Sequence, residues 1–422
     1  MTLRKEGYRD RIIDEKIKKN LKLFGAISLE GPKWCGKTWT ALNHANSVVY
    51  LNNVSNNFNE RKLAQMNVDL ILNKEYPELI DEWQEVPAIW DGVRFKCDED
   101  KQKGKYILTG SATPVTKEIH HSGAGRICRM KMYTMSLYES GDSSGKVSLK
   151  DLFEGNVKDE LTSKVELNDL IRLIIRGGWP ESVGISEEES LELTQSYIND
   201  VLNFDISNID GVTRDINKMR MIMRSLARNE STIVNNNTII HDVNENTDTA
   251  SKNTVLDYID VLEKLYLIEN QIAFSVNLRS SSRVGKSAKR HFVDPSLVCG
   301  ILGLTSESLL KDVNFLGFLF EALCERDLRI YIESYNGNLY HFRDNTTGLE
   351  IDSIVEMPNG DYGAIEIKLG TDKIEEAAAN LLSFQEQVTK KPKFLCIISG
   401  LHEAIIKRPD GIYVIPITEL KN

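Results

Sequence analysis

Eight consecutive residues near the N-terminus have the types and spacing of a loop that binds phosphate groups. The pattern G-x-x-x-x-G-K-[ST] is met by Gly31, Pro32, Lys33, Trp34, Cys35, Gly36, Lys37 and Thr38. Backbone N–H groups of such a loop cradle phosphates, so these residues form the predicted nucleotide-binding set. Lys37 is expected to reach the β- and γ-phosphates of ATP, and the Thr38 hydroxyl to hold Mg²⁺. A Gly-rich structural turn is the alternative.

A short predicted strand that begins near Pro77 ends in two acids, Asp81 and Glu82. In a phosphate-loop fold, Asp81 is expected to hold Mg²⁺ through water, and Glu82 to orient and deprotonate the attacking water. Ser111 or Thr109, at the end of a further predicted strand, is expected to contact the γ-phosphate or that water; a polar turn is the alternative. Arg126 is a candidate arginine finger, in cis or from a neighbouring subunit, or else a solvated side chain.

A second group of residues suggests chemistry on phosphodiesters. Asp352 lies on one predicted strand, and Glu366 and Lys368 share a face of the next, because side chains alternate along a strand. Glu321 lies on a preceding predicted helix. Carboxylates of this kind hold Mg²⁺, so Glu321, Asp352 and Glu366 are the predicted metal ligands. Lys368 would stabilise or help to generate hydroxide. There are two alternatives. The charged residues form salt bridges on an exposed strand face, or the domain is nuclease-like but binds DNA or protein without cleaving it.

The elements between these groups predict a helical region and then a winged helix. Helical spacing runs over residues 167–208, with a break at Gly177-Gly178-Trp179-Pro180. Three more helices and a strand pair at residues 267–274 follow, in the order of a winged helix that contacts DNA or protein. Five basic residues then occur with no acid between them, and they predict either a phosphate-gripping wing or a solvated loop: Arg279, Arg283, Lys286, Lys289 and Arg290.

Composition restricts the class of protein. A chain of 422 residues is expected to form several domains. It contains no run of 18 apolar residues, and its N-terminus lacks the apolar core of a signal peptide, so neither a membrane span nor secretion is expected. Its six cysteines form no C-x-x-C pair, which favours a reducing cytoplasm. With a net charge of −10, any binding of nucleic acid must use local basic patches.

Several of these motifs occur together in a recognisable order. After the segment Gly7-Tyr8-Arg9-Asp10-Arg11-Ile12-Ile13-Asp14 and the phosphate loop come Ile80-Asp81-Glu82-Trp83-Gln84, Leu108-Thr109-Gly110-Ser111, Gly125-Arg126-Ile127 and Gly177-Gly178-Trp179-Pro180-Glu181. The chain thus resembles, over essentially its whole length, the prokaryotic AAA-type ATPases that carry a second domain of unassigned function. The resemblance implies an AAA+ ATPase core and no particular biological role. The C-terminal pattern resembles the PD-(D/E)XK nuclease core, although Ile351 rather than proline precedes Asp352.

The sequence therefore predicts a multidomain α/β protein. Its expected parts are a P-loop AAA+ domain with a parallel-sheet core (1–150), a helical lid (151–214), a winged helix-turn-helix domain (215–295) and a restriction-endonuclease-like α/β domain (296–422). The expected function is ATP hydrolysis coupled to metal-dependent cleavage of DNA, with association of identical chains left open. The alternatives are a nucleotide-dependent switch that binds DNA or protein without cutting, and a small-molecule kinase.

Overall fold

The computed structural model describes residues 3–111, 119–245, 251–275, 288–344 and 346–422. Contacts between residues divide the chain into two units. Unit 1 comprises Met1–Thr134, Phe204–Arg214 and Val261–Tyr266. Unit 2 comprises Met135–Asn203, Asp215–Asp260 and Leu267–Asn422.

The helices and strands of the described residues are numbered in chain order. Those of the first 134 residues are α1 (Ile13–Leu23), β1 (Ala26–Glu30), α2 (Lys37–Leu42), β2 (Ser47–Tyr50), α3 (Asn59–Met66), β3 (Glu78–Asp81), α4 (Ala88–Glu99), β4 (Tyr106–Gly110) and β5 (Ile127–Lys131). The middle of the chain forms α5 (Leu137–Ser140), β6 (Val147–Ser148), α6 (Leu149–Glu154), β7 (Glu160–Leu161), α7 (Leu167–Arg176), α8 (Glu187–Asp200), α9 (Ile206–Asn208), α10 (Ile216–Arg228), α11 (Asn236–Asn244), α12 (Lys252–Lys264), β8 (Ile268–Gln271) and β9 (Lys289–Phe292). The remainder forms α13 (Pro295–Leu302), α14 (Ser306–Lys311), α15 (Val313–Ser334), β10 (Asn338–Arg343), β11 (Glu350–Glu356), β12 (Tyr362–Lys368), α16 (Ile374–Gln387), β13 (Phe394–Ser399), β14 (Ala404–Lys407), β15 (Tyr413–Pro416) and β16 (Leu420–Lys421).

A parallel sheet of the order β2-β3-β4-β1-β5 forms the centre of unit 1. Its strands are apolar on both faces, as expected for a parallel sheet covered by helices. Ile27 and Leu29 of β1 pack on one face, and Ala26 packs on the other with Trp83 and Trp90. Because all the strands are parallel, the phosphate loop after β1 and the acids after β3 lie at the same edge of the sheet. The predicted parallel-sheet core is confirmed.

A seven-stranded sheet of the order β10-β11-β12-β13-β15-β14-β7 dominates unit 2. Strands β10, β11 and β12 are antiparallel neighbours, and β12 pairs in parallel with β13. One face is covered by α16, whose Ala377, Leu381 and Phe384 pack with Ile354 and Val414 of the sheet. Helix α15 is buried over most of its length. The helix, strands and second helix predicted over residues 315–398 are confirmed in type and order.

The segment Gly177-Gly178-Trp179 anchors α7 to the segment that begins α13. The backbone N–H of Gly178 donates to Oδ2 of Asp294 at 2.9 Å, and Nε1 of Trp179 donates to Oγ of Ser296 at 2.9 Å. A β-carbon at Gly178 would lie 2.0 Å from the carbonyl oxygen of Met135. The small residues at this break are therefore required by a close backbone approach inside unit 2.

The expected strand pair at residues 267–274 differs from the one observed. Strand β8 pairs in antiparallel register with β9, whose Lys289 lies opposite Gln271. The residues that follow β8 instead join the large sheet, since the N–H of Phe274 donates to the carbonyl oxygen of His341 at 2.6 Å. The periodicity of a short apolar run does not identify its partner strand, which here comes 18 residues later. In the part of the chain that the structure describes, no helix is both long and apolar enough to cross a membrane.

Candidate functional site

The phosphate loop joins β1 to α2, and the geometry of its backbone requires glycine at two positions. A β-carbon at Gly31 would lie 2.1 Å from the carbonyl oxygen of Met132, well inside contact distance. Gly36 has a φ of 99°, in the left-handed region that favours glycine. Between them, Trp34 also has a positive φ of 70°, and Cys35 is buried. These turns of the backbone form a loop before α2, as the motif predicts.

Lys37 is buried at the first position of α2, and its ammonium group lies within the loop. Its Nζ donates hydrogen bonds to the carbonyl oxygens of Gly31, at 3.0 Å, and Pro32, at 2.7 Å. An ammonium group has three donors and no acceptor, so these carbonyl contacts are ones that phosphate oxygens can replace. The structure thus keeps the predicted phosphate ligand next to the loop backbone.

Asp81 is the point at which three elements converge. Its Oδ1 accepts hydrogen bonds from the hydroxyl groups of Thr38 and Thr109, each at 2.7 Å. Thr38 comes from α2, and Thr109 comes from β4, which neighbours β3 in the sheet. Burial raises the pKa of the Asp81 carboxyl, while the two hydroxyl hydrogen bonds oppose the rise. Asp81 and Thr38, both predicted as Mg²⁺ ligands, are therefore in direct contact.

Glu82 lies beside this contact and is held by two side chains. Its Oε2 accepts hydrogen bonds from Oγ of Ser111, at 3.1 Å, and from Nε2 of Gln84. The backbone of Glu82 has a φ of 58°, in the left-handed region, so the chain turns sharply after β3. Ser111, predicted to contact the γ-phosphate or the attacking water, here contacts the predicted general base.

Arg11 is a residue of this site to which the sequence assigned no role. It is buried, and its NH1 donates to the carbonyl oxygen of Cys35 in the phosphate loop at 2.9 Å. Its NH2 donates to the carbonyl oxygens of Tyr133, at 2.9 Å, and Thr134, at 3.0 Å. One guanidinium group therefore ties the loop to the segment after β5. Its presence in a charged N-terminal segment was visible in the sequence, but its partners were not.

Two further residues, from distant parts of the chain that belong to unit 1, contact the phosphate loop and the strand before it. Nζ of Lys33 forms an ion pair with Oδ1 of Asp205, at 2.5 Å. The hydroxyl of Tyr266 donates to Oε2 of Glu30, the last residue of β1, at 2.9 Å. The sequence predicted Lys33 only as part of the phosphate cradle.

Arg126 lies at the opposite edge of the sheet from the phosphate loop. Its carbonyl oxygen accepts from the N–H of Ala26, the first residue of β1, whereas the loop follows Glu30. Five residues of strand span roughly 16 Å. The guanidinium group is partly exposed, and its Nε donates to Oδ1 of Asp98 at 2.8 Å. This placement is inconsistent with the predicted arginine finger in cis, because the long axis of β1 separates the two; the role in trans stays a prediction.

The structure brings Asp352 of β11 into contact with Lys368 of β12, which contacts Glu366 on the face that strand alternation predicted the two residues to share. Nζ of Lys368 contacts Oε2 of Glu366 at 2.6 Å and Oδ2 of Asp352 at 3.1 Å. The N–H of Ile367 also donates to Asp352, at 2.8 Å. Burial and the Asp352 charge raise the pKa of Glu366, whereas Lys368 and the neighbouring Lys289 hold the pKa of Asp352 below its usual value despite burial.

Glu321 lies near the same carboxylates, but its closest partner is Lys289, whose Nζ forms an ion pair with Oε1 of Glu321. Burial alone would lower the pKa of Lys289, but the charges of Glu321 and Asp352 raise it, so the ammonium stays charged. The expectation that Lys289 grips phosphates on a basic wing is wrong, because the side chain is buried. Of the same basic set, Arg290 donates to Asn270 at 3.2 Å. Arg279, Arg283 and Lys286 lie outside the described residues.

The hairpin β8–β9 supplies further polar contacts to this cluster. Nε2 of Gln271 donates to Oε2 of Glu325 at 2.7 Å, and Ser353 of β11 donates to the other oxygen of Glu325. Oε1 of Gln271 lies 3.2 Å from Nε2 of His291, whose Nδ1 lies 3.1 Å from Oε1 of Glu230. Burial lowers the pKa of His291 and raises that of Glu230 to about 8, so a neutral imidazole bonded to a protonated carboxyl is the expected state.

The three carboxylates predicted as metal ligands have the oxygen chemistry that Mg²⁺ prefers, but their present arrangement does not form a metal site. Glu321 is bonded to Lys289, and Lys368 bridges Asp352 and Glu366. Among the described residues, no group of three or more histidine, cysteine, aspartate or glutamate side chains is disposed to hold a metal ion. Two ammonium groups occupy the carboxylate oxygens instead.

Comparison with family models divides the chain in three. Residues 24–141 match the model of an AAA domain. Residues 167–308 match a domain of unknown function (DUF8612), and residues 316–420 match another (DUF4143). Together with the parallel sheet and the phosphate loop, the first match defines the N-terminal part of the chain as an AAA-type P-loop ATPase domain. Comparison with curated proteins gave no match.

The solved structures that match this chain share little sequence with it. The Walker-type ATPase paby2304 of Pyrococcus abyssi has 14% identity and a TM-score of 0.46, over 71% of this chain and 98% of that one. The ORC1 protein of Aeropyrum pernix, solved in complex with DNA, has 11% identity and a TM-score of 0.26, over 72% and 93%. AMPPCP-bound DnaA from Aquifex aeolicus has 16% identity and a TM-score of 0.26, over 61% and 89%.

Proposed function

We propose that this chain binds ATP with Mg²⁺ at residues 31–38 and hydrolyses it, and that hydrolysis drives an action of the C-terminal region on DNA. The observation that carries the first part is the convergence of Thr38 and Thr109 on Asp81, beside the contact between Glu82 and Ser111. Phosphate ligand, metal ligand and general base then lie at one edge of one sheet, as ATP hydrolysis requires.

The roles of the side chains follow from their positions. Lys37 binds the β- and γ-phosphates. Thr38 and Asp81 would hold Mg²⁺, which would supply positive charge to offset that of the phosphates. Glu82 accepts a proton from the attacking water as the water oxygen bonds to the γ-phosphorus and the bond to the ADP oxygen breaks. Ser111 and Gln84 orient the Glu82 carboxylate for this transfer. Thr109 keeps Asp81 turned toward Thr38.

The experiment is release of phosphate from ATP by the intact chain, compared with Lys37→Ala and Glu82→Gln. Glu82→Gln is expected to bind ATP within a few-fold of wild type and to lose turnover by about 100-fold or more, because it removes the base but no phosphate ligand. Lys37→Ala is expected to lose both. Lys101→Ala, at an exposed position away from the loop, is the matched control. Wild-type turnover no higher than that of Lys37→Ala would refute the proposal, and phosphate transfer to a metabolite would instead indicate a kinase.

The proposed action on DNA is supported by the order of elements in the middle of the chain. Helices α10, α11 and α12 followed by the β8–β9 hairpin give the sequence of elements of a winged helix, in which α12 would be the reading helix. Contact with a protein is the alternative, since α12 carries Asp257, Asp260 and Glu263 beside its lysines. DNA-stimulated ATP turnover, lost at raised salt, is the result expected for a phosphate-contacting domain.

A second candidate function, hydrolysis of a phosphodiester, is favoured by the contact among Asp352, Glu366 and Lys368 on β11 and β12. The order α15, β10, β11, β12, α16 and β13 also agrees with a nuclease-like fold. Nicking of plasmid DNA with Mg²⁺ or Mn²⁺ by wild type, and its loss in Asp352→Ala and Lys368→Ala, would support cleavage. No nicking by wild type, with DNA-stimulated ATP turnover retained, would support the alternative of a binding switch with a silent nuclease-like domain.

A further inference from the structure

Two residues outside the C-terminal family match reach into the carboxylate cluster of unit 2. Lys289 of β9 forms its ion pair with Glu321, and Gln271 of β8 donates to Glu325 and, at 3.4 Å, to the carbonyl oxygen of Asp352. Both lie in the β8–β9 hairpin, and each is opposite the other in the antiparallel register. The cluster is therefore completed by the preceding hairpin and is not a property of residues 316–420 alone.

The charges of the cluster make Lys289 essential to it. Four buried or nearly buried carboxyl groups lie here, from Glu321, Glu325, Asp352 and Glu366, with two ammonium groups. Lys368 is shared by Asp352 and Glu366, which leaves Lys289 as the cation next to Glu321. A buried carboxylate that loses its only ion-pair partner costs several kcal/mol. Lys289, bound to Oε1 of Glu321, opposes metal binding by this carboxylate, because it places a positive charge beside it and uses one of its lone pairs.

A second feature of the cluster is a buried hydroxyl group beside Lys368. Ser399 of β13 is fully buried and lies opposite Lys368 in the parallel register, so its side chain projects from the same face of the sheet. Among the described residues its Oγ has no hydrogen-bond partner. Buried hydroxyl groups are nearly always bonded, so the hydroxyl of Ser399 is a group to which a polar ligand or a water molecule would bind.

We propose that Lys289 is a resident cation of this cluster, which holds Glu321 and competes with divalent metal ions for its carboxylates. A divalent ion that uses Glu321 therefore binds less tightly while Lys289 is in place, because the charge and the hydrogen bond of its ammonium group act on the same carboxylate. The inference concerns the cluster proposed above for phosphodiester hydrolysis, but it requires only metal binding and no cleavage.

The test is titration of the full chain with Mn²⁺, followed by the electron paramagnetic resonance signal of the free ion. All variants are made in an Asp81→Asn background, without nucleotide, so that the phosphate-loop site does not contribute. Lys289→Met is expected to bind Mn²⁺ at least 10-fold more tightly than the background protein. The double variant Lys289→Met/Glu321→Gln, which removes both charges, is expected to return to within about 3-fold. Arg290→Met, the neighbouring cation on β9, is the matched control and should change nothing.

A second variant keeps the test decisive if Lys289→Met does not fold. In Glu321→Gln, the Lys289 ammonium loses its partner and pairs with the remaining carboxylates, where it competes with Mn²⁺. The affinity for Mn²⁺ is therefore expected to fall at least 10-fold below that of the background protein. Lys289→Met should also unfold at a lower temperature without Mn²⁺ and recover with it. Mn²⁺ affinity that is unchanged or weaker in Lys289→Met, or unchanged or tighter in Glu321→Gln, would overturn the proposal. Absence of DNA nicking would refute cleavage and leave this Mn²⁺ pattern standing.

Discussion

The guanidinium group of Arg11 donates to the carbonyl oxygen of Cys35, so a residue before α1 holds the phosphate loop in place. The same group binds the carbonyl oxygens of Tyr133 and Thr134, which follow the edge strand β5. The loop is thereby held from both sides, by α2 through covalent continuity and by Arg11 through hydrogen bonds. The conformation of the loop thus depends on the N-terminal segment as well as on the motif.

Replacing Arg11 by methionine should weaken nucleotide binding and destabilise unit 1. Each buried carbonyl left without a donor costs about 1–3 kcal/mol, and two buried carbonyls and one partly buried carbonyl are affected. Lysine should not rescue the variant, because a single ammonium group does not reproduce the planar fork of arginine. Thermal unfolding and binding of a fluorescent ATP analogue would measure both effects. Arg9→Met, two residues earlier and exposed, is the control. Equal nucleotide affinities in the two variants would contradict the role of Arg11 in holding the phosphate loop.

Replacing Arg126 by alanine should affect ATP turnover only if the chain associates. Its position at the amino end of β5 places it far from the phosphate loop of its own chain, while half of its side chain is accessible. Specific activity of wild type is therefore expected to rise with protein concentration, and Arg126→Ala is expected to lose that rise while keeping nucleotide affinity. Turnover measured across a dilution series tests this. If a dilute monomer is fully active, and Arg126→Ala has the same activity, Arg126 is not an arginine finger.

The buried Glu230 predicts that unit 2 becomes less stable as the pH rises. Burial raises the pKa of this carboxyl from 4.5 to about 8, so the folded state retains a proton that the unfolded chain has lost. Stability from this group is fully present below pH 4.5 and is lost as the pH rises toward 8, with a slope of at most about 1.4 kcal/mol per pH unit.

Glu230→Gln keeps the shape of the side chain and cannot ionise, so its stability should fall less steeply between pH 5 and 8 than that of wild type. Calorimetric unfolding at several pH values measures the two slopes. Glu325, whose pKa burial raises to about 7, contributes in both proteins and cancels in the comparison. Identical slopes would mean that Glu230 is ionised in the folded chain.

Alanine at Gly178 and alanine at Gly317 should change the stability of the chain in opposite directions. A β-carbon at Gly178 would clash with the carbonyl oxygen of Met135, which is backbone and cannot move aside cheaply. Gly317 lies inside α15 with no atom within 4 Å of the added carbon. Gly317→Ala should therefore stabilise the chain by about 0.5–1 kcal/mol, whereas Gly178→Ala should lower its unfolding temperature by several degrees. Equal effects on thermal unfolding would rule out the close approach at Gly178.

Local features of the sequence were sufficient where the determinants lie within a few residues. The phosphate loop is such a case, because its glycines and Lys37 act through backbone geometry and short-range contacts. Alternation along β12 likewise placed Glu366 and Lys368 on one face, and the apolar segments at residues 339–342 and 394–398 predicted strands that the structure contains. Two-residue periodicity is intrinsic to an extended chain and needs no tertiary contact.

Long-range pairing decided what the local patterns did not. Lys289 has the same local context as a surface basic patch, yet it is buried because Glu321, 32 residues later, supplies the opposite charge. Arg126 has the residue type of an arginine finger, yet parallel pairing of β5 with β1 places it at the far edge of the sheet from the loop. The sequence by itself therefore determined which residue types occur at each motif and predicted much of the secondary structure that carries them. The tertiary structure decided which charged groups meet, because a side chain's partners depend on strand order and burial rather than on its neighbours in the chain.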